Sequence, residues 1–200
     1  MPNYREIHSF ILKKSISIPH LNNILKKNGI IRIKKETMKF FDFIFKTIIS
    51  QQISFKTSEA IWRRVENFLL VKELDLIKSI SEKKNCEEIQ KMGVSGKKIE
   101  YLKILKDNNP NINCEKNYYK GLSENDFKKI FKKNKGIGDW SCDMIQIFYF
   151  NKLNIWPNND LIINKHLEEI TEKYKQNFDF KKIFDPYLSI VALHIWKYSD

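Results

Sequence analysis

The chain has 200 residues, 42% of them hydrophobic and 30% charged, enough apolar material for one domain or two small helical units. Its most apolar run, FFDFIFKTII, is broken by Asp42 and Lys46 and falls short of the roughly 18 residues a membrane-spanning helix needs. The balance of 36 Lys+Arg against 24 Asp+Glu leaves a charge of +12, which suits a polyanionic partner, although the abundance of Lys, Ile and Asn throughout makes part of that excess compositional.

In chain order, the N-terminus MPNYREIHSFILKK mixes charges into its apolar positions and carries no small-residue cleavage site, so no targeting segment and no membrane partner are expected. That reading implies a cytoplasmic protein, nucleoid-associated if the source is bacterial. Residues 37–50 and 54–70 have the apolar spacing of successive helices, with Ser54 placed to cap the second. Asn85 followed by Glu88, and Ser123 followed by Asp126, have the spacing of helix starts. Gly93 and Gly96 bracket a turn leading into a helix over 95–106, and DNNPNINCEKN at 107–117 reads as a loop. Helices are expected over 123–133, 139–151, 160–174 and 187–198, with Pro157 and Pro186 marking breaks. No segment has the alternation of a strand, so the expected class is all-α.

Cys86, Cys114 and Cys142 are odd in number and each 28 residues from the next, a pattern that suits reduced thiols better than a disulfide framework or a metal site. The four histidines, His8, His20, His166 and His194, are scattered, and no metal is expected on them. His194 lies in an apolar helix and reads as a satisfied core residue or as one that supports a site residue from behind.

The stretch Lys135–Trp140, KGIGDW, is the most informative. A dinucleotide fingerprint would need a strand before it and a third glycine where Ser141 stands, and a Walker loop would need GK[ST]. The preceding DFKKIFKK instead has helical spacing. Helix, tight Gly turn, helix leaves backbone N–H groups at a helix N-terminus, where an anion is favoured. Lys128, Lys129, Lys132, Lys133 and Lys135 surround that turn, so a nucleic-acid backbone is the natural ligand; a plain helical corner is the alternative. Downstream, Asp160 follows an Asn-Asn turn and starts an apolar helical pattern, the position of an N-cap.

IFKKNKGIGDWSCDMI followed by WPNNDL resembles the helix-hairpin-helix DNA glycosylase superfamily, in its 3-methyladenine DNA glycosylase II (alkylation-repair) branch. IISQQISFKTSEAIW at 48–62, GVSGKKIEYLKIL at 93–105 and YLSIVALHIWKY at 187–198 are similar to that branch as well. The resemblance implies two helical lobes with a DNA cleft between them. The expected division is a central lobe over 36–137 that includes the hairpin, and a second lobe made of 1–35 plus 138–200.

The resemblance also implies the chemistry: a monofunctional hydrolase that flips an alkylated purine of the 3-methyladenine type out of duplex DNA and breaks its N-glycosidic bond. Asp160 would be the catalytic carboxylate, stabilising an oxocarbenium-like sugar and orienting water. Lyase-active relatives place a Schiff-base lysine two residues after the second hairpin glycine; here that slot is Trp140, which implies no strand cleavage. Trp140 and Trp196 would form an electron-rich pocket for a cationic base, with Met144 where some relatives carry Tyr. Gly136, Ile137, Gly138 and Asp139, with Lys133 and Lys135, would grip the DNA backbone. Gln51 and Gln52 would either probe the gap left by the flipped base or cap a loop, and Ser95, Lys97 and Lys98 would touch phosphate. The resemblance allows a structural alkali cation at hairpin carbonyls; with no cysteine after Cys142, no iron–sulfur cluster and no other cofactor are expected. Duplex DNA carrying damaged bases is the expected partner of a monomer. Excision of an oxidised or deaminated base, or DNA binding without catalysis, are the alternative readings.

Overall fold

A computed structural model describes residues 2–199. The described residues form helices joined by loops and contain no strand, as expected of an all-α chain. None of their helices is long and apolar enough to cross a membrane. In chain order, α1 (Tyr4–Lys14) and α2 (Pro19–Asn28) come first, two helices that sequence periodicity had not separated. Asn3 caps α1 by accepting the N–H groups of Arg5 and Glu6, and Pro19 begins α2, where its missing N–H costs nothing.

The next helices are α3 (Phe40–Ser50), α4 (Phe55–Val71), α5 (Leu76–Ser79), α6 (Lys83–Lys91), α7 (Gly96–Asn108), α8 (Lys116–Gly121), α9 (Glu124–Phe131) and α10 (Asp139–Met144). Ser54, Ser95 and Ser123 each accept a backbone N–H three residues on and so fix the starts of α4, α7 and α9. Asn85 does not start a helix. Glu82 stands at the start of α6, and Asn85, inside it, donates its side-chain amide to the Glu82 carboxylate at 2.9 Å. The expected loop at 107–117 is shorter than the sequence suggested, since α7 runs to Asn108 and α8 begins at Lys116.

After α10 the chain continues as one π-helical stretch, Ile145–Tyr149, then α11 (Leu161–Tyr174), α12 (Phe180–Phe184) and α13 (Leu188–Ser199). The helix expected over 139–151 is therefore six α-helical residues followed by a wider turn.

The chain forms two compact units, Thr37–Ile145 and Met1–Glu36 with Gln146–Asp200. In the first, α3 is buried nearly all round, from Phe40 and Phe41 through Phe45 to Ile48 and Ile49, and packs on α4, α5, α7 and α10. A helix without a polar face has to sit in the middle of its unit. The two charges that interrupt its sequence are dealt with locally: burial pushes the Asp42 carboxyl up to about 6, and Lys46 pairs with Glu59 at 2.7 Å. Beside it Phe127 stacks on Phe131 at 4.3 Å, with Tyr119 edge-on to Phe131 at 5.1 Å. In the second unit α13 is the central helix and packs on α2, α11 and α12, burying Leu188, Ile190, Val191, Ala192 and Ile195.

Candidate active site

In the Thr37–Ile145 unit the turn between α9 and α10 is built from its buried asparagine outward. The Asn134 carbonyl oxygen of the side chain accepts from the amides of Asn108 and Asn109, each at 3.2 Å, while its own amide donates to Phe131 O. Ile137 closes the turn by donating its N–H to Asn134 O at 3.2 Å and buries its side chain.

The two glycines of the turn serve different ends. Gly136 has φ +88°, and a Cβ there would lie 2.1 Å from the Tyr101 ring. Conformation and packing both demand glycine at that position. Gly138 has φ −103°, and a Cβ there would meet nothing within 4 Å. The open side of the turn is at Gly138, which caps α10 without a side chain.

Two residues from the expected DNA-facing set hold this turn in place. The Gln51 amide donates to Gly136 O and to Ser141 Oγ, both at 2.8 Å. Lys98 donates to Ile49 O at 2.8 Å and to Gln51 O at 3.1 Å, and burial lowers its pKa. Ser95 caps α7, accepting from the Lys98 N–H at 3.3 Å. Gln52, by contrast, is exposed at the tip of its turn with φ +61°.

The lysines also separate. Lys128 is 15% exposed and ion-paired with Glu124 and Asp143, both at 2.7 Å, so it is internal scaffolding rather than part of a phosphate-facing patch. Burial disfavours its charge, but the two carboxylates outweigh this and raise its pKa; burial pushes Asp143 up to about 6 against the pull of Lys128. Lys132 pairs with Asp139 at 2.9 Å. Lys97 and Lys135 lie over the Tyr101 ring, 6.0 and 5.7 Å from its centroid, and Lys135 stands 3.7 Å from Glu100. Lys133 is exposed. Trp140 is half-buried in the first turn of α10, and Met144, one turn on, is buried.

In the other unit Asp160 is the N-cap of α11, as its sequence position suggested, and only 7% exposed. Its Oδ1 accepts the N–H groups of Ile162 and Ile163 at 3.1 and 3.0 Å and the indole N–H of Trp196 at 3.0 Å. Two of these donors are the open amides that every helix start presents; the third comes from α13. Trp196 is half-buried and its ring lies 5.8 Å from that of Phe148. The carboxylate is thus fixed in position by its helix and by a side chain 36 residues away.

Sequence reasoning missed Tyr101, Asn134 and Asp143, because their importance lies in packing and pairing between helices. His194 is in the core as expected, but neither ring nitrogen has a partner. It stacks on His8 at 5.6 Å, and burial, with His8 and Lys197 nearby, lowers it to about 3.

No family model matches the chain. The DNA-3-methyladenine glycosylase of Saccharomyces cerevisiae is 29% identical over 206 residues, covering 91% of this chain and 67% of that protein. The Schizosaccharomyces pombe 3-methyladenine DNA glycosylase, solved with abasic DNA, superposes with a TM-score of 0.72 at 21% identity over 94% of this chain and 96% of that one. A Clostridium acetobutylicum 8-oxoguanine glycosylase/lyase bound to duplex DNA gives the same TM-score, 0.72, at 19% identity, covering 99% of this chain and 70% of that one. With the hairpin and the capped aspartate in place, the chain is similar in sequence to a 3-methyladenine DNA glycosylase and has the fold of the helix-hairpin-helix DNA glycosylases.

Proposed function

We propose that the protein is a monofunctional base-excision-repair glycosylase that hydrolyses the N-glycosidic bond of alkylated purines in duplex DNA. The observation that carries this reading is Asp160: a buried carboxylate with three hydrogen bonds converging on one oxygen. Such a group is positioned before the substrate arrives, and an electrostatic stabiliser acts best when nothing has to reorganise during the reaction.

In the reaction the glycosidic bond breaks with its electron pair going to the purine nitrogen. An N-alkylated purine is already cationic, so this neutralises it and no general acid has to protonate the leaving group. Positive charge moves to the sugar, where Asp160 stabilises it. Water then adds to the anomeric carbon and releases a proton, leaving an abasic site. Trp140 stands where a lyase would carry its lysine, so no Schiff base forms and the DNA strand stays intact. Its indole, facing a cationic base, is worth about 0.5–2 kcal/mol when desolvated. The open face at Gly138 and the exposed Lys133 suit a phosphate backbone.

The sequence kinship is with a 3-methyladenine glycosylase, whereas the fold is common to an 8-oxoguanine enzyme, so the lesion has to be read from base release. Duplexes carrying 3-methyladenine, 7-methylguanine, hypoxanthine, uracil or 8-oxoguanine should lose only the alkylated purines, without strand breaks before alkali or heat. Release of 8-oxoguanine with direct strand cleavage would overturn the proposal. Binding to all five with release of none would leave a DNA-binding module.

A further inference from the structure

The histidines scattered in the sequence are not scattered in the fold. His20, the second residue of α2, and His166 and Glu169, three apart on α11, bring one ligand atom each to within 4.8 Å of one another. Residues three apart share a helix face, so α11 supplies two of these groups and α2 the third.

The hydrogen bonds around the cluster leave it short of a cation. Ser199 Oγ lies 3.0 Å from Ile195 O, which takes its proton, so the hydroxyl accepts from His166 Nε2 at 2.8 Å. In the neutral ring that hydrogen bond puts the proton on Nε2 and the lone pair on Nδ1, the form that binds a metal ion. Nδ1 is buried, has no hydrogen-bond partner, and lies 3.3 Å from the Glu169 carboxylate oxygen. A cation between them would satisfy both atoms. His20 Nε2 is a second buried nitrogen without a partner.

We propose that His20, His166 and Glu169 form a zinc site with water as the fourth ligand. Two ligands of a tetrahedral zinc stand about 3.3 Å apart, the spacing His166 and Glu169 already have; His20 and the half-exposed Glu169 side chain supply the remaining movement. Ser199 orients His166 from behind, as outer hydrogen bonds do for metal-bound imidazoles. The ion ties α2 to α11, the helix that Asp160 begins, and lies about 9 Å along that helix from the carboxylate. Its role is to fix the helix, with no part in the chemistry.

Chelator-treated protein titrated with Zn²⁺ in a calorimeter should bind one ion per chain, and Co²⁺ should give the visible absorption of a tetrahedral site. At a hundredfold excess over Kd the thermal midpoint should rise by about 5–10 °C. His20→Gln and Glu169→Gln should each weaken binding at least tenfold and abolish most of that rise, whereas His8→Gln should change neither. Glu169 is exposed, so Glu169→Gln should keep the midpoint of the metal-free wild type. Absence of Zn²⁺ binding by the wild type, or equal affinity in both ligand variants, would overturn the site.

Discussion

In the proposed function, Asp160 and Trp196 are the pair of residues on which the catalytic geometry turns. The indole N–H joins the N–H groups of Ile162 and Ile163 as a donor to the Asp160 Oδ1, and it comes from another helix. A hydrogen bond to a charged group is worth about 1.5–3 kcal/mol, so Trp196→Phe, which keeps a ring but removes the donor, should slow base release by about 10–100-fold. Single-turnover rates with saturating protein check this, and a rate within twofold of wild type would detach Trp196 from the carboxylate's function. The cap was legible in the sequence because the Asn-Asn turn and the apolar period that follows are local. The indole was not, because no spacing rule connects residues 36 apart on different helices. Resemblance placed Trp196 in the base pocket; the structure adds that its N–H is spent on Asp160.

At the scale of the element, the hairpin separates a scaffold glycine from an open one. Gly136→Ala forces a left-handed φ on a residue with a side chain and drives its Cβ into the Tyr101 ring, a combined cost of about 2–4 kcal/mol. Gly138→Ala meets no atom and has an ordinary φ, so its melting temperature should stay close to wild type. Only the second variant reports on the ligand: it should weaken DNA binding at least fivefold while leaving the fold intact. Unchanged affinity in Gly138→Ala would mean that the backbone of this turn is not the DNA clamp. The sequence pointed to the turn, with its two glycines one residue apart as a single motif. Tyr101 distinguishes them, and it comes from α7, outside any local pattern. Lys128 teaches the same lesson for charge: in sequence it belongs to a basic cluster, in the fold to Glu124 and Asp143.

Over the whole molecule, helical periodicity gave the class and most of the longer helices, while the short α5, α8 and α12 and the π-helical stretch went unread. Four to six residues carry too little period to register. The burial of His194 was legible in its apolar helix, but its unpartnered ring, which sets a pH dependence, was not. His194 is lowered to about 3 in the folded chain from 6.5. The unfolded chain therefore binds the extra proton first as the pH falls, and stability is full above about 6.5 and lost progressively towards 3. Asp42 and Asp143, raised to about 6, act in the opposite direction, so the comparison must be with a variant. Between pH 7.5 and 4.5 the wild type should lose about 2–3 kcal/mol more than His194→Gln in denaturant unfolding; equal losses would show that the ring is not held neutral.

The measurement that bears most directly on the proposed function is single-turnover release of 3-methyladenine from duplex DNA by the wild type and by Asp160→Asn, with DNA affinity measured on the same samples. Asparagine retains an oxygen for the Ile162, Ile163 and Trp196 donors but not the negative charge. Affinity should stay within about threefold, and release should fall by about 10²–10³-fold, the usual loss when a preorganised electrostatic stabiliser is removed. Release by folded Asp160→Asn at a rate near that of the wild type would contradict the assignment of catalysis to this carboxylate.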